Sequence, residues 1–527
     1  MALARRTIRN TAILFAARTG SRLLVFVVFL VQQRALGPTG YGEFATITVL
    51  SNLASISADL GLQIVYLREG SRHRERLDRL LATVLAAKLP LLAASLVVLW
   101  VMVSVGGPPL PQLLWPAFAL LLTTSVANVL RSTFYATGEI RYEAIATGAE
   151  AVILLGGTAA IAALGFGLPA YLLVYAASYG FTCVFAAIVI RRRYFRIRLL
   201  PEVGEAGRLL RLGLPFALAF ALNTIYFKID ILILDGLRGY HQVGIYQAAY
   251  KFLEGLSFIP QTIMNAIFPA LAIVHLEGRG RLRSLYTSAY RLLATIAVPL
   301  AVAFGLDGGA ILRVVGVYSQ SATAARILAL ALLFLFVNNS FIFGLGAMDR
   351  QLASVWLAGF SILVNVVLNL VLIPLFPRDA GYLASSWATV VTEVFLLAAG
   401  YLVVRRHLGS LPWLRPSWPI AGAGLVMAAV VVELSSGSVL WVLPVGGVAY
   451  LAVLVGLGGI SRDEWRLARS SLGRGGGLAP AGAAEGPGAT GSGSGPTRPV
   501  PWRPRPPGPR PPGPRPPGPR PPRSPVG

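Results

Sequence analysis

Charge is scarce in this chain, and the scarcity sets its class. Only 13% of its 527 residues are charged, against 55% hydrophobic, and the mean hydropathy is +0.68. Such a composition excludes a string of soluble domains. Lysine is rarer still: Lys88, Lys228 and Lys251 are the three lysines among 46 basic residues. Cysteine occurs once, at Cys183, which rules out a disulfide framework and a cysteine metal cluster. The four histidines (His73, His241, His275, His407) fall in connections or at the ends of apolar runs, without metal-ligand spacing. No G-x-x-x-x-G-K-[ST] loop is present, so nothing points to ATP hydrolysis by this chain. The G-P-T-G-Y-G stretch from Gly37 to Gly42 is not a dinucleotide fingerprint, because no strand precedes it. It reads as a helix–turn–helix corner. No cofactor and no enzymatic activity are expected.

What is present is apolar sequence in runs of 20 residues or more, each long enough to cross roughly 30 Å of hydrocarbon. The expectation is an all-α polytopic membrane protein. Fourteen spans are predicted, over residues 10–36, 41–67, 77–105, 113–138, 142–166, 168–192, 209–235, 240–272, 285–306, 321–346, 351–376, 380–406, 416–434 and 438–460. Connections alternate in charge: 28 arginines up to Arg474 fall on one side and five on the other. The positive-inside rule then places both termini in the cytoplasm. A net charge of +24 would suggest nucleic acid in a soluble protein; here arginines flank the spans, so a basic cytoplasmic face is expected instead. The first apolar run follows Arg5, Arg6 and Arg9, lacks an A-x-A cleavage signal and leads into another span, so it reads as a retained helix. External connections are short, which leaves no room for an extracytoplasmic catalytic domain.

Weak internal matches recur in one order at nearly constant offset. Leu36-Gly37 to Gly42-Glu43-Phe44 is repeated 202 residues later as Arg238-Gly239 to Gly244-Ile245-Tyr246, and Ala170-Tyr171-Leu172 is repeated 211 later as Gly381-Tyr382-Leu383. Six spans per repeat is an even number, so the halves enter the membrane in the same orientation and are parallel repeats. The predicted organisation is an N-terminal six-helix lobe (1–192), a cytoplasmic linker (193–208), a C-terminal six-helix lobe (209–407), two additional transmembrane helices (408–460) and a cytoplasmic Gly/Pro/Arg-rich tail (461–527). The tail ends in R-P-P-G-P units with glycine every five residues, which excludes collagen and predicts disorder of polyproline-II character.

Charged residues inside spans carry the functional signal, since each costs several kcal/mol unless it meets a partner or a wet cavity. Arg18 and Arg22 are four apart, hence on one face, about 12–18 Å from the cytoplasmic start of the first span. They either snorkel to the inner surface or face a cavity. Asp59, in A-D-L-G-L of the second span, either pairs with them or switches partners. Lys228 and Asp230 are two apart in the seventh span; Lys251 and Glu254 are three apart in the eighth, the spacing of an intrahelical ion pair. Glu150 and Glu393 each read equally as a packed acid or a coupling site. Pro90, Pro215, Pro260, Pro269 and Pro299 are candidate helix breaks.

The R-A-L-G-P-T-G-Y-G-E-F-A turn, A-D-L-G-L, F-K-I-D-I-L-I-L (Phe227 to Leu234) and V-G-I-Y-Q-A-A-Y-K (Val243 to Lys251) together resemble the O-antigen-type polysaccharide flippases of the multidrug/oligosaccharidyl-lipid/polysaccharide exporter superfamily. The likeness covers about residues 5–460. It implies two six-helix lobes working by alternating access in the bacterial cytoplasmic membrane, and translocation of an undecaprenyl-pyrophosphate-linked oligosaccharide. The implied partners are that lipid-linked oligosaccharide and membrane lipids, with polysaccharide polymerase and chain-length machinery as further candidates. It also implies a cationic cavity, onto which Arg18, Arg22, Lys228 and Lys251 map, with Asp59, Asp230 and Glu254 as coupling or gating groups. An ion-coupled drug/cation antiporter of the same superfamily and a lipid II-type flippase are the competing expectations.

Overall fold

Hydrocarbon offers no hydrogen bonds to a backbone, so apolar runs of this length can only be helices that satisfy every N–H and C=O internally. The computed structural model describes residues 2–105, 111–195, 203–411 and 414–459, and the side chains of 19–104, 112–195, 204–411 and 417–459. Among the described residues there are α-helices, one 3-10 turn and no strand. The first half comprises α1 (Ala2–Asp59), α2 (Leu62–Arg72), α3 (Leu77–Val105), α4 (Pro111–Thr137), α5 (Ile140–Leu164) and α6 (Leu168–Arg193). The second comprises α7 (Val203–Arg238), α8 (Tyr240–Leu256), α9 (Phe258–Glu277), α10 (Arg279–Val314), α11 (Ser321–Ala347), α12 (Gln351–Leu375) and α13 (Gly381–Leu408). Two further helices follow, α14 (Leu414–Glu433) and α15 (Val439–Gly456).

Among the described residues, twelve stretches are long and apolar enough to cross a membrane. One of them, Thr19–Asp59, is two spans joined at Gly37, and Ser417–Glu433 is a shorter apolar helix. Together these account for the fourteen predicted spans. Large apolar side chains such as Leu89, Trp100, Leu164 and Trp441 stay exposed on the outside of the bundle, as helices bathed in lipid require.

The repeat is visible in the backbone. Gly37 (φ 67, ψ 176) and its counterpart Gly239 (φ 80, ψ 175) turn the corner between the first and second span of each half in the same conformation. Only glycine adopts this region without strain. The two corners then pack on each other reciprocally. A Cβ on Gly42 would collide with the Tyr240 carbonyl oxygen, and a Cβ on Gly244 with that of Pro38. Thr39 Oγ1 meets His241 Nδ1 at 3.3 Å. Thr39 and His241 are offset by 202, and the same offset exchanges the Gly42–Tyr240 contact with the Gly244–Pro38 contact, so the axis relating the halves passes through this seam. Arg34 and Gln33 strengthen it by donating to Val315 and Gly316 carbonyls at 2.6–3.2 Å.

The second span of each half is interrupted: α1 gives way to α2 at Leu60 (φ 40) and Gly61 (φ 75), and α8 to α9 at Ser257. The prolines proposed as breaks behave differently. Pro90, Pro215, Pro269 and Pro299 sit inside helices that continue through them, while Pro260 lies in the first turn after the Ser257 interruption. α14 and α15 pack on α10, where Tyr450 donates to the Thr295 carbonyl at 2.9 Å and Tyr290 meets Ser417 at 2.9 Å. The predicted tail from 461 onward lies outside the described residues.

Candidate functional site

The corner seam holds α1 against α8, and below it the two helices diverge around a cavity of about 620 Å³. Its aromatic wall includes Phe26, Phe29, Tyr41 and Phe252, and its polar groups include Arg22, Gln32, Lys251, Glu254 and Gln261. Arg22 comes from the first half and Lys251 from the second. The Arg22 guanidinium lies over the Phe258 ring, 4.3 Å from its centroid, a placement that holds a cation in a weakly solvated site.

Glu254 is clamped by two lysines. Lys251 Nζ donates to Oε2 at 2.9 Å from the same helix, and Lys228 Nζ donates to Oε1 at 3.0 Å from α7. The intrahelical pair expected from the spacing is therefore present, with a third member from another helix that spacing alone does not reveal. Arg22, Lys228 and Lys251 are the cations gathered around Glu254. Arg18, one turn before Arg22 on α1, has its side chain outside the described ones.

The other sequence-singled residues lie elsewhere. Asp59 accepts from Lys88 Nζ at 2.8 Å, at the point where α1 breaks. Lys88 is 1% exposed and is also held by Ser125, through its carbonyl at 3.1 Å and its hydroxyl at 2.7 Å. Asp230 is buried among α7, α8 and α13, accepting from Tyr246 Oη and from the Ile231 amide at 2.9 Å. It does not line the cavity. Glu150 belongs to a network in which Arg131 reaches Glu143 at 2.7 Å and Glu150 at 3.1 Å, with Thr147, Thr182 and Tyr135 completing the shell. Glu393 accepts from Tyr226 Oη and Asn338 Nδ2, both at 2.7 Å.

Lys88 and Arg131 are the residues that sequence reasoning passed over. Both carry the signal applied to Arg22, a full charge inside an apolar run. Arg131 sits near a span end, where it resembles one more flanking arginine, and Lys88 lies two helices away in sequence from its partner.

Residues 7–275 match the family described as polysaccharide biosynthesis protein. No curated protein matches the chain. The lipid II flippase MurJ in its inward closed conformation superposes with a TM-score of 0.68 at 13% identity, over 85% of this chain and 99% of that one. An inward-facing multidrug resistance MATE family transporter of the MOP superfamily superposes with a TM-score of 0.59 at 16% identity, over 73% of this chain and 95% of that one. At these identities the likeness is one of fold.

Proposed function

The chain belongs to the polysaccharide biosynthesis protein family, and from that premise we propose that it moves an undecaprenyl-pyrophosphate-linked oligosaccharide across the bacterial cytoplasmic membrane by alternating access. One observation carries this reading: cations from both halves, Arg22 and Lys251, line a single cavity inside a membrane bundle. A lipid pyrophosphate is an anion that suits the fork of an arginine and the point charge of a lysine. Its arrival would let Lys251 and Lys228 exchange Glu254 for phosphate oxygens. Glu254 thereby keeps the empty site neutral enough to exist in a low dielectric. Arg18 would extend the cationic face by one turn, and the Asp59–Lys88 and Asp230–Tyr246 contacts would stiffen the helices as the halves move.

In this reading the bodies that rock are 1–192 and 209–407, both termini are cytoplasmic, and 408–460 shelters the prenyl tail against α10. A polysaccharide polymerase and its chain-length machinery would receive the product. A drug/cation antiporter would need the opposite sign of cavity. A lipid II-type flippase differs only in the glycan.

The test is in cells. Arg22→Ala and Lys251→Ala variants should insert normally and lower glycan export at least tenfold, with the lipid-linked intermediate accumulating in the membrane by mass spectrometry. Unimpaired export in both variants overturns the proposal. The mass of the accumulated lipid identifies the glycan.

A further inference from the structure

A second cavity, of about 490 Å³, lies within the second half among α7, α9, α11, α12 and α13. Its wall differs in kind from that of the cationic cavity. Five carboxamides line it (Asn223, Gln261, Asn265, Asn338 and Asn339), together with Tyr226, Ser354 and one carboxylate, Glu393. The two cavities adjoin, since Gln261 forms part of both walls.

We propose that this carboxamide-lined cavity is a sugar subsite, which receives the neutral, hydroxyl-rich rings attached to the pyrophosphate held by Arg22 and Lys251. The proposal rests on the flippase reading and adds to it a place for the glycan. Three observations support it. First, the volume falls within the range of about 300–1,000 Å³ typical of small-molecule sites, and is far larger than a bare cation needs. Second, the chemistry is that of hydroxyl recognition: carboxamides both donate and accept, and the rings of Tyr226, Phe227 and Phe343 add apolar lining for ring C–H groups. Third, two polar atoms on this wall are buried without a hydrogen-bond partner, Asn338 Oδ1 and Ser354 Oγ. Unsatisfied groups of this kind are rare and costly, and sugar hydroxyls would satisfy both. Glu393, with Tyr226 and Asn338 already donating to its two oxygens, retains lone pairs for a further hydroxyl. The first sugar of a pyrophosphate-linked glycan is bonded directly to the phosphate, so its site must border the anion site, and this cavity does.

The experiment uses the full-length protein in lipid nanodiscs and two probes: undecaprenyl pyrophosphate, and the lipid-linked glycan extracted from a strain lacking this protein. Wild-type protein should bind the glycan-bearing lipid about tenfold more tightly than the bare one, the increment expected from one or two satisfied hydrogen bonds. Ser354→Ala and Asn338→Leu should remove most of that increment and leave binding of the bare lipid unchanged. Ser354 provides the variant with no structural hydrogen bond to lose. Equal affinity of wild type for the two probes overturns the sugar subsite, as do losses shared by both probes. A glycan increment that survives while Arg22→Ala fails to weaken the bare lipid overturns the cationic anion site instead, and leaves the sugar subsite standing.

Discussion

The two halves of this protein share a backbone and differ in their interiors. At the corner seam the likeness is close: Gly37 and Gly239 adopt the same φ and ψ, and Gly42 and Gly244 each pack on a carbonyl of the opposite corner. Inside, the first half is filled with an ion network, in which Arg131 joins Glu143 and Glu150. In the second half, 211 residues on, Arg131 is replaced by Ile342 and Thr182 by Glu393, and both replacements line the 490 Å³ cavity. The two halves thus share a frame, while one interior is filled by an ion network and the other holds open polar space. A shared frame does not require shared chemistry.

The largest effect is expected where the halves are alike. With Cys183→Ser as background, a Thr39→Cys/His241→Cys pair should cross-link, because the native side chains already meet at 3.3 Å across the axis. Cross-linked protein should export essentially no glycan, and a reductant should restore it. Full export with the bond in place would mean that the corner seam never opens.

The next effect breaks the unlikeness. Replacing Arg131 with leucine strands two carboxylates, one of them 2% exposed, and removal of one member of a buried ion pair costs about 3–5 kcal/mol. The variant should lose much of its thermal stability in detergent. The addition of Glu143→Gln and Glu150→Gln should recover a good part of it, since neutral amides tolerate burial better than unpaired charges. No recovery would mean that Arg131 acts through packing alone.

The frame was more legible in the sequence than the interiors were. Lipid demands apolar runs of fixed length, so spans could be counted from composition alone, and the Leu36–Phe44 corner announced its own repeat. The interruption at Leu60–Gly61 was written in A-D-L-G-L yet read as continuous helix, because a single glycine in an apolar run is equally at home inside a transmembrane helix. At the site, Arg22, Lys251 and Glu254 were found because each costs energy in hydrocarbon. Lys228 was recognised as a cation, but its grip on Glu254 depends on how α7 packs beside α8, and no spacing rule encodes that. Asp59 was sought near the arginines at the same depth, whereas its carboxylate accepts from Lys88 of a neighbouring helix. The second cavity had no sequence signature at all: carboxamides are unremarkable singly, and five of them converge only after α7, α9 and α11 have packed.

The smallest effects compare two positions 211 residues apart. Thr182 donates to Glu150 at 2.6 Å within the ion network, and a hydrogen bond to a charged group contributes roughly 1.5–3 kcal/mol. Thr182→Val should therefore lower thermal stability by a few degrees and leave glycan affinity where it was. Glu393→Gln keeps the shape of the side chain and one acceptor oxygen for Asn338 or Tyr226, so its stability cost should stay within about 1 kcal/mol. Its effect should appear in glycan binding, because the cavity it lines has lost an acceptor. Thermal unfolding and probe binding on the same two preparations separate these outcomes. Loss of stability in both variants without change in binding would mean that the two interiors do the same structural job, and that the cavity is only a gap between helices.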